Sequence, residues 1–307
     1  MSSISLRSPA TIANLSCGFD VLGVCVKEPF DEIVITKKKK RDVKIEIQES
    51  PFSNIPSDPK QNTGGVPAEL IIKDFNLDFG FNISIKKGIP LCGGLGSSAA
   101  TAAGVVYGIN EFLDKKMSFN TMIKYALEGE KLSSNSPHAD NIGPCLSGGL
   151  VLIRDTKSLD IINIPTKELF FAIVHPDVKV DTKTARKILP NKVNLSDAIN
   201  QWGNIAALTY GFYSNDIDLI RRSMTDYIIE PVRSKLIPGY HDVKDIAIDS
   251  GAIGCSISGS GPSIFALCET ENISKQVVSK MEKVLDDLSI NYHSYISPIN
   301  NQGIEVL

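Results

Sequence analysis

The chain has 307 residues, of which 42% are hydrophobic and 22% charged, and its formal net charge is −3. This is the composition of an ordinary globular protein with room for two domains, and it lacks the positive charge that nucleic acids or anionic membranes attract. No apolar run approaches the roughly 18 residues that a membrane span needs, so we expect neither a membrane nor a nucleic-acid partner. The six cysteines are scattered without a C-x-x-C pair, which predicts a reducing, cytoplasmic location.

The first candidate site follows the N-terminal strand that Ile4 and Leu6 predict. Residues 9–23 then form a polar loop, punctuated by glycine, that carries Asn14 and Asp20. Asn and Asp in such loops usually bond to nearby backbone groups. On composition alone, a local turn is therefore the simpler interpretation of both side chains.

Short strands come next in the chain. Alternating apolar residues predict strands at residues 32–36, Val43–Ile47 and 81–85. Between the second and third of these, residues 50–67 are rich in Pro, Ser, Asn and Gly. That composition predicts a loop, and the loop contains Asn62.

A glycine-rich stretch ahead of a helical pattern is the strongest local signal in the chain. The spacing of Ala99, Ala102 and Val106 predicts a helix that begins near Ser97 or Ser98. Glycines let a backbone approach a ligand closely, and the free N–H groups at a helix start favour an anion. The stretch thus suits a phosphate cradle, although it matches neither common nucleotide fingerprint, and taken alone a tight turn is the simpler interpretation. The glycine-rich stretch consists of Pro90, Leu91, Cys92, Gly93, Gly94, Leu95, Gly96, Ser97, Ser98, Ala99 and Ala100.

Two later stretches place polar groups beside apolar ones. Glu130 continues the apolar stripe of a helix that begins near Phe119, where a carboxylate is costly unless it is paired or binds a metal. An ion pair with Lys or Arg is the alternative interpretation.

Residues 136–144 predict a polar loop that leads into an apolar strand, a common location for catalytic groups. That loop carries His138, Asp140 and Asn141, although a lone histidine more often has a structural role.

The second half of the chain begins at a predicted boundary that divides it into domains 1–160 and 161–307. A short basic helix that Pro190 ends carries Arg186. Arg233 follows a later helical segment, and each arginine alone is an ordinary surface residue.

Two further features of this half bear on the fold. Ser196 can cap a helix whose apolar face includes Trp202. Residues 251–267 predict a strand, a tight glycine loop containing Gly259, and a second strand. Because strands and helices alternate irregularly, an α+β class is favoured over a doubly wound sheet.

Taken together, residues 9–23, 90–100 and 257–263 resemble the three motifs of the GHMP kinases, in order and at comparable spacing. The resemblance covers nearly the whole chain; Ser16-Cys17 departs from it where the family usually has Gly-Pro. It implies a two-domain fold, with an N-terminal domain of the ribosomal-protein type that contains a left-handed β-α-β unit and a ferredoxin-like C-terminal domain. Because β-α-β crossovers are almost always right-handed, that topology rests on the resemblance alone.

Within the family, the chain is most similar to members that phosphorylate L-homoserine. The matches are His138-Ala139-Asp140-Asn141, Thr184-Ala185-Arg186 and Pro231-Val232-Arg233. They imply ATP-dependent conversion of L-homoserine to O-phospho-L-homoserine in threonine biosynthesis, with Mg²⁺. A homodimer is compatible with the sequence, which does not determine the oligomeric state.

The resemblance also implies a role for each candidate residue. The glycine-rich stretch and Asn62 would bind ATP, and Ser98, or its neighbour Ser97, would hold Mg²⁺ together with Glu130. On the acceptor side, the ligands of the ammonium group would be Asp20, Asn14 and His138. The ligands of the carboxylate would be Arg186 and Arg233, and Gly259 would lie beside them. Asn141 or Asp140 would act at the acceptor hydroxyl, and positioning by Asn141 is favoured over a base at Asp140.

Three alternatives compete with this interpretation. Another small-molecule GHMP kinase, acting on a mevalonate or a sugar, would have no amino group to match Asp20. A non-catalytic ligand sensor of the same fold would be expected to lose Ser98 or Glu130, and both are present. A nucleic-acid-binding role is disfavoured by the net charge.

Overall fold

The computed structural model describes residues 2–52, 55–132 and 139–307. The strands are β1 (Ser3–Ala13), β2 (Leu22–Lys38), β3 (Val43–Ile47), β4 (Gly80–Lys86), β5 (Leu150–Asp155), β6 (Asp160–Ile164), β7 (Phe170–Pro176), β8 (Gly254–Ile257), β9 (Ile264–Cys268), β10 (Tyr292–Pro298) and β11 (Glu305–Val306). The helices are α1 (Gly65–Asp74), α2 (Ser97–Asn110), α3 (Phe119–Glu130), α4 (Ala139–Ser147), α5 (Thr182–Lys187), α6 (Leu195–Ser214), α7 (Ile217–Ser223), α8 (Glu230–Arg233), α9 (Tyr240–Asp249) and α10 (Glu271–Asp287). The α+β class predicted from the sequence is confirmed.

The first sheet has the strand order β11-β1-β2-β4-β3, and it continues through β5, which pairs with β2, to β6. β1 pairs with β2 and β2 pairs with β4 in antiparallel fashion, whereas β3 and β4 are parallel and are connected through α1. The pairing of β1 with β2 shifts register between Pro9 and Thr11. Beyond this irregularity, the end of β1 leads into the loop that carries Asn14 and Asp20.

Helix α2 packs closely on the first sheet because its residues are small. Gly104 faces Ile33 and Gly108 faces Ile35, both on β2, and a Cβ at either glycine would overlap the isoleucine side chain. Most residues of α2 are buried, as expected for a helix that is apolar on all sides. The helix begins at Ser97, so the start predicted from the sequence is confirmed.

The second sheet has the order β10-β7-β9-β8, and every pair in it is antiparallel. In chain order this is fourth-first-third-second, with α10 between β9 and β10, as in a ferredoxin-like fold. Val277, Met281 and Leu285 of α10 belong to the apolar core that covers this sheet. Across residues 2–52, 55–132 and 139–307, the structure contains no helix with the length and apolar character that crossing a membrane would require.

The chain returns from the second sheet to the first. The Ser297 hydroxyl accepts a hydrogen bond from the backbone N–H of Lys27 (2.7 Å), and Val26 forms an isolated bridge with Ile299. β11 then pairs with β1, with Leu6 opposite Val306. Segments that follow β10 therefore complete the sheet that β1 started.

The expected polar loop at residues 136–144 is wrong from residue 139 onward, where helix α4 begins. Pro144 has no N–H to donate to the Asp140 carbonyl, which is why the local sequence argues against a helix. Burial of Ile142 and Cys145 nevertheless stabilises it, since tertiary packing outweighs local propensity. Gly23 leaves room for the Asp140 carbonyl, because a Cβ there would overlap it.

Helix α6 also differs from its prediction. It begins at Leu195, with Asn194 rather than Ser196 at the N-cap position. Trp202, expected on the apolar core face, is 61% exposed. The core face of α6 is instead formed by other side chains, among them Leu208 and Phe212.

Candidate active site

A cleft of about 340 Å³, called the central cleft below, lies between loops of the first sheet and loops of the second. Most of the residues selected from the sequence meet there. They are Asn14, Asp20, Asn62, Leu91, Cys92, Gly93, Gly94, Gly96, Ser97, Ser98, Glu130, Asp140, Asn141, Arg186, Arg233 and Gly259. The buried members of the glycine-rich stretch that do not line the cleft are Pro90, Leu95, Ala99 and Ala100. His138 lies outside the described residues.

The glycine-rich stretch takes backbone conformations that glycine favours. Gly94 and Gly96 have φ of 77° and 67°, and Gly96 is the N-cap residue of α2. A Cβ at Gly96 would overlap the Thr11 hydroxyl, and one at Gly94 would overlap the Ser258 carbonyl. The backbone therefore turns tightly into α2, and Ser97 and Ser98 of its first turn line the cleft, where the free N–H groups of a helix start favour an anion.

A second glycine loop, between β8 and β9, fixes the first one. The Ser258 hydroxyl donates to the Gly94 carbonyl (2.6 Å), and the Ser263 N–H donates to the Gly93 carbonyl (3.1 Å). Ser263 in turn is 3.0 Å from the Nδ1 of His175. The two glycine-rich regions of the sequence therefore form one structural unit.

Asn62 holds the loop that precedes α1. Its side-chain amide donates to the Pro56 carbonyl (2.8 Å) and accepts from the Gly64 N–H (2.9 Å). The side chain is 2% exposed. It thus shapes one wall of the central cleft through bonds within its own loop.

Ser98 and Glu130 both line the central cleft, and their oxygens suit a hard divalent cation such as Mg²⁺. Ser97 differs from its neighbour, since its hydroxyl donates to the Ile89 carbonyl (3.1 Å). That bond holds Ser97 within the glycine-rich stretch and makes Ser98 the better candidate ligand. The carboxylate of Glu130, at the end of α3, is almost fully buried. The residues present therefore fit a magnesium-nucleotide complex.

A buried ion pair behind the cradle was not predicted from the sequence. The Lys87 ammonium donates to the Asp31 carboxylate, to the Ser97 carbonyl (2.8 Å) and to the Thr101 hydroxyl (2.9 Å). Asp31 also accepts from the N–H groups of Gly88 and Ile89 (3.1 and 3.2 Å). Burial raises the pKa of Asp31, and Lys87 opposes that shift. This network ties β2, the end of β4 and the first turn of α2 together.

The acceptor side of the cleft carries charges of both signs. Arg186 donates to both carboxylate oxygens of Asp20. Arg233 donates to the Gly259 carbonyl (2.7 Å), and the Asn14 amide donates to the same oxygen (3.0 Å). Burial lowers the pKa of Arg233 to about 10, and Asp20 opposes that effect.

Phe19 is a further cleft residue that the sequence did not single out. Its ring centroid lies 5.3 Å from the guanidinium carbon of Arg186 and 5.0 Å from that of Arg233. An aromatic face attracts such cations. Phe19 therefore helps to hold both guanidinium groups toward the cleft.

Asp140 and Asn141 occupy the first turn of α4. Burial, followed by the negative charge of Asp20 and a smaller contribution from Glu130, raises the pKa of Asp140 to about 7. The side-chain Oδ1 of Asn141 accepts a hydrogen bond from the Thr11 hydroxyl (2.8 Å). Thr11, also missed by the sequence analysis, thus orients the Asn141 amide. A proton acceptor near neutrality and an oriented amide are adjacent in the cleft.

The chain matches two family models and is similar to proteins of known function. The family model "GHMP kinases N terminal domain" matches residues 66–149, and "GHMP kinases C terminal" matches residues 208–287. The homoserine kinase of Chlorobium phaeobacteroides (strain BS1) is 38% identical over 320 residues and covers 100% of both chains. That of Methanococcus vannielii is 38% identical over 274 residues, 89% of this chain and 90% of the relative.

Solved structures agree with these relatives. The crystal structure of homoserine kinase from Cytophaga hutchinsonii has a TM-score of 0.95 and 44% identity, over 100% of this chain and 98% of the other. The mevalonate kinase of L. major shares the fold, with a TM-score of 0.75 and 12% identity. The match covers 95% of this chain and 94% of the other. The family resemblance and the two-domain fold predicted from the sequence are confirmed.

Proposed function

The chain belongs to the homoserine kinases of the GHMP kinase family, and from that premise we propose that it phosphorylates the side-chain hydroxyl of L-homoserine for threonine biosynthesis. The reaction class, an ATP-dependent transfer to a small molecule, comes with the family. The observation that carries the acceptor's identity is the meeting of Asp20, Arg186 and Arg233 in one cleft beside the glycine-rich stretch. One carboxylate and two guanidinium groups match an ammonium and a carboxylate on a small zwitterion.

The donor side is formed by the glycine-rich stretch and the start of α2. Their backbone N–H groups bind the phosphates of ATP, and the N-terminal end of α2 favours that negative charge. We assign Mg²⁺ to Ser98 and Glu130; when bound, it neutralises charge on the transferring phosphoryl group. Asn62 shapes the wall that faces the nucleoside.

On the acceptor side, each charged residue has one task. Asp20 binds the ammonium group, and Asn14 orients the Asp20 loop through its bonds to the Asp20 N–H and to Gly259. Arg186 and Arg233 bind the carboxylate. Because the ammonium and the carboxylate of the amino acid are both held, its hydroxyl points at the phosphoryl donor. Such positioning lowers the activation barrier for phosphoryl transfer.

At the hydroxyl itself, we assign the directing role to Asn141. Its amide, oriented by Thr11, bonds the hydroxyl oxygen and holds it in line with the phosphoryl group. Asp140 lies one residue away, and in its ionised form it adds negative charge to that of Asp20. Phosphoryl transfer through a loose transition state depends mainly on positioning and charge, which supports this assignment.

The test is a coupled ADP-release assay with Mg·ATP and, in turn, L-homoserine, mevalonate, galactose and no acceptor. We expect turnover with L-homoserine alone. Turnover with another acceptor would support the assignment as a kinase and contradict the proposed site for a zwitterion. ATP binding without turnover on any acceptor would favour a ligand sensor.

Two accompanying assignments belong to the same proposal. We divide the chain into an ATP-binding domain of residues 1–160 and a second domain of residues 161–307. We also place the enzyme in the cytoplasm, because its cysteines are all free thiols, only Cys92 among them exposed, as suits a reducing compartment.

A further inference from the structure

The two charged halves of the acceptor site lie on separate segments of the chain. Asp20 belongs to the loop that follows β1, and Arg233 is the last residue of α8. The Gly259 carbonyl connects the two segments within the central cleft, because it accepts from Arg233 (2.7 Å) and from Asn14 (3.0 Å). The Asn14 side chain in turn accepts from the Asp20 N–H (3.2 Å). A second connection runs through Gln201 of α6.

Gln201 is a buried residue, 5% exposed, and it lies outside the residues that line the central cleft. Its Nε2 donates to the backbone carbonyl of Cys17 (2.8 Å) and to the Asp226 carboxylate (3.0 Å), and its Oε1 accepts from the Tyr227 N–H (2.9 Å). Two acceptors and one donor therefore surround this side chain. An amide satisfies all three, whereas an ionised carboxylate has no proton to donate, and lysine and arginine have no acceptor.

The bond to Cys17 leads to the ammonium ligand. Cys17 lies three residues before Asp20 in the same loop. Residues 14–16, directly before Cys17, all have positive φ, between 42° and 74°. Left-handed conformations in residues other than glycine cost energy and persist where the surrounding structure holds them. The hydrogen bond from Gln201 is one of the contacts that hold this loop in place.

The bond to Asp226 leads to the carboxylate ligand. Asp226 Oδ1 accepts from the N–H groups of Ile228 and Ile229 (2.9 and 3.0 Å), and its Oδ2 accepts from the Glu230 N–H (3.0 Å). The N–H groups at a helix start have no acceptor within the helix. Because α8 is a single turn of four residues, it depends on contacts of this kind. Asp226 therefore determines where α8 begins and, through α8, where Arg233 lies.

We propose that Gln201 is a positioning residue for the acceptor, which fixes the distance between the ammonium ligand Asp20 and the carboxylate ligand Arg233. One N–H of its amide holds the Asp20 loop, and the other holds the carboxylate that anchors α8. An α-amino acid carries its ammonium and its carboxylate on the same carbon, so both ligands bind it together at one separation only. This role of Gln201 rests on the proposed function, which assigns Asp20 and Arg233 to the two ends of the acceptor.

The first test replaces the amide with an apolar side chain of similar length. Gln201→Met should lower kcat/KM for L-homoserine roughly ten- to a hundredfold, the size of effect that a displacement of about 1 Å produces. The KM for ATP should stay within about twofold, which also verifies that the variant is folded. Gln201→Glu keeps the acceptor for the Tyr227 N–H but loses both donors, so it should show the same loss if Gln201→Met does not fold.

Asn204→Met is the matched control. It removes a hydrogen bond from α6 to the Thr225 carbonyl (2.8 Å), three residues further along the same helix, and that bond does not involve the Asp20 loop. We expect kcat/KM for L-homoserine to stay within about twofold in this variant. An unchanged kcat/KM in Gln201→Met, or a parallel rise in the KM for ATP, would overturn the proposal.

The second test distinguishes the spacing of the two ligands from a general loss of structure. 4-Hydroxybutyrate lacks the amino group and 3-aminopropan-1-ol lacks the carboxylate, so each engages one end of the site. A ligand held at two ends gains affinity only where the geometry allows both contacts at once. In Gln201→Met, calorimetry should therefore show at least about tenfold weaker binding of L-homoserine, while the inhibition constants of the two other compounds change by less than about threefold.

Equal losses for all three compounds would contradict the role of Gln201. The unmodified chain separates this result from a failure of the proposed function. If that chain neither binds nor phosphorylates L-homoserine, the proposed function is wrong. If it does both and Gln201→Met behaves in the same way, only the role of Gln201 is wrong.

Discussion

Arg186 and Asp20 form a bidentate ion pair across the central cleft, with Nη1 3.2 Å from Oδ1 and Nη2 2.6 Å from Oδ2. We assign these two residues to opposite ends of the acceptor. An amino acid that carries both charges can replace the internal pair with two new ones. A ligand with one charge would replace only half of that pairing and would leave either the carboxylate or the guanidinium without a partner. We therefore propose that this ion pair makes the site selective for zwitterionic acceptors.

Removing the ammonium ligand should remove that selectivity. We expect Asp20→Asn to lower kcat/KM for L-homoserine roughly ten- to a hundredfold, because a charged hydrogen bond contributes about 1.5–3 kcal/mol. The same variant should not lose activity toward 4-hydroxybutyrate, which lacks the amino group. The measurement is kcat/KM for both acceptors. A parallel loss for the two acceptors would refute the ammonium role.

Arg186→Ala should raise the KM for L-homoserine by a similar factor, because it removes a guanidinium that we assign to the carboxylate. The KM for ATP should stay within about twofold. Steady-state kinetics with each substrate varied in turn check this result. Equal weakening of ATP and L-homoserine would count against the assignment.

Substitutions can distinguish the roles of Asp140 and Asn141, which are adjacent on α4. Asn141→Ala should lower kcat about a hundredfold, since the hydroxyl loses its directing group, whereas Asp140→Asn should retain kcat within about tenfold. Thr11→Val should lower kcat as Asn141 loses its hydrogen bond, and Thr11→Ser is the matched control that keeps the hydroxyl. If Asp140→Asn removes several orders of magnitude from kcat and abolishes an inflection near pH 7, Asp140 is the base.

Breaking the buried pair behind the cradle should destabilise the fold. Lys87→Met leaves the Asp31 carboxylate buried without its cation, and removal of one partner of such a pair costs about 3–5 kcal/mol. Urea denaturation should show that loss, and Lys87→Met/Asp31→Asn should recover much of it because no charge remains. Lys275→Met breaks the exposed pair with Glu271 on α10 and should cost less than about 1 kcal/mol. A double variant no more stable than Lys87→Met would show that the pair is not coupled.

His175 should make the protein less stable in mild acid. Burial, assisted by the charge of His293, lowers the pKa of His175 from 6.5 to about 4. Between pH 6.5 and 4 the unfolded chain therefore binds a proton that the folded protein excludes, and the free energy of unfolding falls as the pH falls. The contribution is about 2 kcal/mol between pH 7 and pH 5.

Urea denaturation at the two pH values checks this prediction. His175→Gln should reduce the difference by that amount, and His241→Gln, at an exposed position of α9, is the matched control. An unchanged difference in His175→Gln would contradict the prediction.

Patterns within a few neighbouring residues predict the parts of the site whose conformation is set by those same residues. The glycine-rich stretch was found because glycine conformation and a helix start are encoded over a few residues. Asp31 could have been found as well, since it has the same parity along β2 as the buried Ile33 and Ile35. A carboxylate at an inward position predicts a buried partner.

Other relationships depend on residues that are distant in sequence. No local pattern indicates that Arg186 reaches Asp20, or that the Thr11 hydroxyl reaches Asn141. Helix α4 was missed because Pro144 argues against a helix locally, whereas packing decides its conformation. Trp202 was assigned to the core because periodicity identifies an apolar face but does not say what covers it.

The pairing of β1 with β11 predicts an order of events in folding. Leu6 and its register partner Val306 are 300 positions apart, and bringing such distant residues together costs chain entropy that nearby contacts do not. The second sheet occupies the chain between β6 and β11, and its folding shortens that distance. We therefore expect the pairing of β1 with β11 to form late in folding. The second sheet would fold first and bring β11 close to β1.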